Sequence, residues 1–276
     1  MNAVRLNPRR IAGVVLRQIY LMRGSPTRLL PTFAWVAIDI VLWGFITRYL
    51  NSLGTPGVNF VPTLLGAVLL WDFFSRVMQG VTTAFFEDVW SRNFLNIFAT
   101  PLSIAEYVGG LVITSVATSI VGLAVMLLLA TGVFGFSFFS YGLLLLPFLL
   151  VLFLFGIALG IFASAMVLRL GPASEWLVWP IPALLSPFAG VFYPLSTLPP
   201  WMQWIGHLLP PSYVFEGMRV IVTGPGQDHG FSLRSLLIGL ALAVAQIIAA
   251  GWCFAAVHRR AVRSCLLARY SAESVS

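Results

Sequence analysis

The residues that could do chemistry are few. Asp39, Asp72 and Arg76 lie inside long apolar stretches, while Glu87, Asp88 and Arg92 crowd into one short segment. Carboxylates and guanidinium groups in such settings can pair with one another, bind an ion or move a proton. The missing residue types narrow the field further. The chain has no lysine, all sixteen of its basic residues being arginine, so a phosphate-binding loop of the GxxxxGK[ST] type cannot occur. Work driven by nucleotide hydrolysis therefore needs a partner that carries out the hydrolysis. Cys253 and Cys265 are spaced for neither a zinc site nor a redox pair, and His207 and His229 stand apart from any ligand set. An intramembrane enzyme would need a nucleophile with a base, or a metal cluster, at span depth, and neither is legible.

These residues are positioned by a chain built for lipid. The hydrophobic fraction is 59% and the mean hydropathy +0.94, with only 9% of residues charged. Ordinary soluble domains carry roughly 25% charge, so this surface cannot be facing water throughout. The net charge of +7 is confined mainly to the two ends, where arginine reads as a topology signal and a contact for anionic lipid, not as a nucleic-acid patch. Crossing a hydrocarbon core of roughly 30 Å takes about 20 helical residues. Spans are expected at about 29–50, 60–85, 105–133, 141–168, 175–192 and 233–257. The fifth contains Pro180, Pro182 and Pro187 and should be kinked or unwound. Residues 51–59 and 134–140 form short turns between spans.

The fold class expected is an all-α polytopic membrane protein with six transmembrane helices. Residues 1–28 form a basic tail, 29–257 the membrane domain, and 258–276 a second basic tail. In the first tail, Ile11, Val15, Ile19 and Met22 share one helical face opposite Arg10 and Arg17, which suits an interfacial helix over residues 9–23. With both termini cytoplasmic, twelve arginines lie inside and three (Arg48, Arg219, Arg234) outside, Arg76 being within a span. Crossing by the fifth segment keeps the arginine-rich C-terminal tail inside.

Two segments between spans stand out. The connection from Phe86 to Ser103 puts Glu87, Asp88 and Arg92 on one helical side and Val89, Trp90, Phe94, Leu95 and Phe98 on another, with Pro101 ending the helix. Composition alone fits docking into another protein's groove and resting on lipid equally well. The external stretch from Phe192 to Arg219 is too apolar for a solvated loop and too interrupted by proline for a span. Trp201 and Trp204 belong at headgroup level, and a helix that dips into the outer leaflet and returns fits the pattern. Glu216 and Arg219, three apart, can pair.

Six spans, Glu-Asp-x-x-x-Arg-Asn after the second followed by Thr-Pro-Leu-Ser, and Tyr-Pro-Leu…Leu-Pro-Pro-Trp…Leu-Pro-Pro-Ser-Tyr…Glu-Gly-Met-Arg further on resemble the type-2 permeases of ATP-binding-cassette transporters. The likeness runs in order along nearly the whole chain. It implies that the helix holding Glu87, Asp88, Trp90, Arg92, Asn93 and Phe94 is a coupling helix seated in an ATPase subunit. It also implies that residues 198–219, with Pro199, Trp201, Trp204, Pro210, Tyr213, Glu216 and Arg219, form external re-entrant helices. Further implications are a pair of protomers above two ATPase subunits, ATP and Mg held in those partners with no cofactor on this chain, and outward movement of cargo. A bacterial inner membrane is the expected location.

Within the spans, Asp72 and Arg76 are four apart and can neutralise each other, which favours a packing role over a cargo site. Asp39 lacks a partner on its own helix and is expected to meet Arg76 of the neighbouring span or to be neutral. Glu106 and Glu175 read as hydrated boundary residues. Phe188 and Phe192, on the kinked fifth span, are candidates to line an apolar passage. A secondary transporter is the competing function; it would need ion-coupling carboxylates and usually an internal repeat, and no repeat is evident.

Overall fold

The computed structural model describes residues 7–24, 26–53, 64–91, 96–97, 99–135, 145–223 and 229–263. The described residues form helices and the turns between them, with no strand among them: α1 (Pro8–Arg23), α2 (Pro26–Leu53), α3 (Gly66–Trp90), α4 (Ile104–Phe134), α5 (Leu145–Leu170), α6 (Ile181–Ala189), α7 (Pro200–His207), α8 (Pro210–Thr223) and α9 (His229–Arg263). Three of them, α4, α5 and α9, are long and apolar enough to cross a bilayer. The long helices α2 and α3 stand where the first two spans are expected and carry Asp39, Asp72 and Arg76, each half-buried. The expected turns at 51–59 and 134–140 and the end of the C-terminal tail lie wholly or mostly outside the described residues.

The expected fifth span is not one helix. Pro172–Leu177 is a 3-10 turn, residues 178–180 turn again, and only Ile181–Ala189 is α-helical. Proline cannot donate the backbone bond that a continuous helix needs and clashes with the preceding turn, so Pro180 and Pro182 confine the regular helix to a short piece. Gly190, at a φ of 62°, then ends it in the left-handed region.

Helix α5 is the spine, packed most extensively on α9 and α3, while α4 packs on α3, α1 and α2. The approach of α5 to α3 depends on glycine. A Cβ at Gly156 would lie 2.8 Å from Val77 Cβ and 3.0 Å from the Phe74 carbonyl oxygen; one at Gly160 would lie 2.8 Å from Val81 Cβ. Small residues one turn apart let backbones meet where lipid supplies no hydrophobic drive between helices. Phe74 and Phe155 stack at 5.1 Å in the same interface. The core centres on α3, whose Phe73, Phe74, Val77, Met78, Val81 and Phe85 are all buried.

Candidate functional site: the junction of α1, α3 and α4

At one end of the bundle three helices are tied together by two buried carboxylates. Asp88, in the last turn of α3, is 0% exposed. Its Oδ2 accepts a hydrogen bond from the Tyr107 hydroxyl of α4 at 2.7 Å, and its Oδ1 is paired with the Arg17 guanidinium of α1. The bond to Asp88 holds the Arg17 guanidinium even above its ordinary pKa, against the opposing effect of burial. Glu106, 1% exposed, is the second tie. Its Oε2 accepts from the Ser103 amide at 2.8 Å while the Ser103 hydroxyl accepts from the Glu106 amide at 3.3 Å, a capping box that starts α4. Its other oxygen accepts from the Asn7 amide at 2.8 Å, and Arg10 approaches to 3.5 Å. Gly110 completes the contact by letting Val14 of α1 press against the α4 backbone, where a Cβ would meet Val14 at 2.6 Å.

Two expectations change here. Asp88 was expected on the partner-facing side of a separate helix, but it is turned inward, and the Glu87-Asp88 pair belongs to the end of α3 itself. A carboxylate beside Arg17 and Tyr107 gains hydrogen bonds that it would lack on an apolar surface. Glu106 is not a hydrated boundary residue but a buried cap. Its Ser-x-x-Glu signal was legible in the sequence; the reach of α1 to it was not. Trp90 remains 54% exposed, and Arg92, Asn93 and Phe94 lie outside the described residues. Beside the junction, a groove of about 320 Å³ is lined by Gly13 and Val14 of α1 on one side and by Ile97, Thr100, Pro101 and Leu102 on the other. Among the described residues the junction shows no Ser or Cys held by a His, Asp or Glu as a general base. What it can do is carry force, because both acids are occupied in holding helices together.

The three charges expected inside spans lie near one another. Asp39 of α2 and Asp72 of α3 both lie within electrostatic reach of Arg76, whose side chain runs along α4 at Gly122. The Oδ2 of Asp72 has no hydrogen-bond partner among the described residues.

At the opposite end, α6, α7 and α8 form a cap. Pro199 precedes α7, whose outward face bears Trp201 and the 75% exposed Trp204. Pro210 opens α8, and the Tyr213 hydroxyl donates to the His207 carbonyl at 2.9 Å, closing the corner between the two helices. Glu216 and Arg219 pair at 3.1 Å, as their spacing allows. Phe188 meets Trp201 edge-on at 6.3 Å, while Phe192 stacks on Trp43 of α2 at 5.1 Å. Trp43 was not singled out from the sequence; one tryptophan on an apolar helix carries no distinguishing signal.

The family model for the ABC-2 type transporter matches residues 14–223, a stretch that takes in the cap and the Arg17–Asp88–Tyr107 part of the junction. The inner membrane transport permease YadH of Escherichia coli (strain K12) is 27% identical over 170 residues, covering 59% of this chain and 63% of that protein. The protein of the same name from Shigella flexneri matches to the same extent. The chain thus spans less than two thirds of the length of the curated relatives it matches. Ordered from α1 through the junction to the end of α8, the matched residues make up most of the chain, and it belongs to the ABC-2 type transporter family.

Proposed function

We propose that this chain is one protomer of the membrane domain of an ATP-driven exporter. It has six spans and both termini in the cytoplasm of a bacterium. A second protomer completes the pathway, and two copies of a separate ABC ATPase subunit hold ATP and Mg beneath it. The observation that carries this reading is the junction. Asp88 and Glu106 fasten α1, the end of α3 and the start of α4 at the two sides of the segment 91–103. A push on that segment reaches three helices at once, as rigid-body transmission requires. Glu87 and the exposed Trp90 stand at its entrance and Arg92, Asn93 and Phe94 follow in sequence; together they form the docking surface. The cap at the other end closes the pathway outside. The apolar helices, with Asp39, Asp72 and Arg76 as the charges expected within the spans, suit an amphipathic or lipid-linked cargo.

The test is co-purification. Glu87→Arg combined with Trp90→Ala should lose the ATPase subunit while leaving expression and thermal unfolding of the permease unchanged. Retention of a working ATPase at full yield would show that docking lies elsewhere. The chain purified alone should turn over no ATP in lipid vesicles.

A second reading, an ion-coupled transporter, draws on the Asp39–Asp72–Arg76 cluster. Uptake into vesicles driven by a proton or sodium gradient without ATP would favour it.

A further inference from the structure

The turn that follows α6 is held by one ion pair in an unusual way. The Arg219 guanidinium donates to the carbonyl oxygens of Gly190, of Val191 at 3.3 Å and of Tyr193 at 2.8 Å. Glu216, paired to it, accepts from the Leu195 amide at 2.7 Å. These anchors lie on both sides of Phe192. Carbonyls at a helix C-terminus need partners, and in a buried setting a side chain must stand in for water. All three bonds come from Nη2, whose two hydrogens serve them with one shared, while Nη1 faces Glu216, so the planar guanidinium fixes the direction of the turn from both sides. The cap is stapled internally as well. Gly206 lets α7 sit against the Phe188 carbonyl, where a Cβ would lie at 2.8 Å, and the Gln203 amide donates to the Leu198 carbonyl at 2.7 Å. Helix α8 in turn packs on α9 and α5. The Trp43–Phe192 stack joins this assembly to a different one, since α2 packs on α4.

We infer that Glu216 and Arg219 are positioning residues that present the Phe192 ring to Trp43, and that this aromatic contact is the seam at which the cap parts from α2. The positioning role stands on the hydrogen bonds alone; the parting of the seam rests on the exporter reading.

The experiment uses the assembled complex with its ATPase subunit, with Cys253→Ala and Cys265→Ala as background. One cysteine pair crosses the seam (Trp43→Cys with Phe192→Cys) and a control pair lies within the cap (Phe188→Cys with Trp201→Cys). Both are bridged with a short bifunctional thiol reagent. Without nucleotide, Arg219→Met should lower seam cross-linking severalfold and leave the control pair unchanged. Arg219→Lys, which keeps the charge but loses the fork, should fall in between and carries the test if the Met variant does not accumulate. Unchanged seam yield in either variant, or equal loss in both pairs, overturns the positioning role. A hydrolysis-deficient ATPase loaded with ATP should lower the seam yield severalfold without touching the control pair. If it does not while Arg219 still controls the yield, the seam's opening is overturned and the positioning role stands.

Discussion

Glu87 and Asp88 are neighbours of like charge, yet the fold treats them in opposite ways. Asp88 is sealed against Arg17 and Tyr107, whereas Glu87 borders the proposed docking surface. The burial is asymmetric, and this sets an order of effects. Arg17 keeps 30% of its side chain exposed, so Asp88→Asn leaves a guanidinium that can turn to water. The cost should be about 1–3 kcal/mol. Arg17→Met leaves a fully buried carboxylate short of its cation and should cost about 3–5 kcal/mol. Tyr107→Phe removes one hydrogen bond and should fall near the lower figure. Thermal unfolding of the purified protein in detergent ranks the three; Asp88→Asn proving the most harmful would refute the assignment. From sequence, the charge of Asp88 was plain, but which face of α3 met another helix was not. Arg17 lies 71 positions away, beyond the reach of any local pattern.

At the scale of elements, hydropathy and local signals placed the helices well. A helix stands where one was expected at 9–23, as α1, and the span expected at 105–133 is α4, started by its capping box and ended by Gly135 at a φ of 65°. The broken fifth segment was legible in its prolines. Of the helix expected after the second span, Phe86–Trp90 belongs to α3, which Ser91 caps, and residues 92–95 and 98 lie outside the described residues. Close approach between helices was hidden, since glycine is common in apolar helices for many reasons. Gly160→Leu should force α5 off α3 and cost at least about 1–3 kcal/mol. Gly109 has open space around its Cβ position, and Gly109→Ala should be neutral or stabilise by about 0.5–1 kcal/mol through helix propensity. Unfolding midpoints read both, and equal tolerance at the two sites would mean that α3 and α5 do not touch as described.

For the whole molecule, the junction gathers α1, α3 and α4 at one end, and the cap gathers α6, α7 and α8 at the other. Helices α3 and α5 connect them through their glycine-lined interface. Such an arrangement can relay a displacement without any chemistry in the chain. Its orientation is open to a direct check. Ser91→Cys, exposed beside the junction, should react with a membrane-impermeant thiol reagent only after cells are permeabilised. Labelling in intact cells would place the junction outside and remove the proposed docking to a cytosolic ATPase.

The sequence by itself determined the solvent, the helical class and the lack of a lysine-based phosphate loop, because these follow from composition and from short-range periodicity. It also carried the spaced motifs of the family and the Glu216–Arg219 pairing, both local in the chain. Only the tertiary structure decided that Asp88 faces inward, that Glu106 receives the start of α1, and that Arg219 holds the turn around Phe192. Each of those contacts joins residues far apart in the chain. They exist because a charged or backbone polar group removed from water must find a partner, and only the packed fold brings that partner within reach.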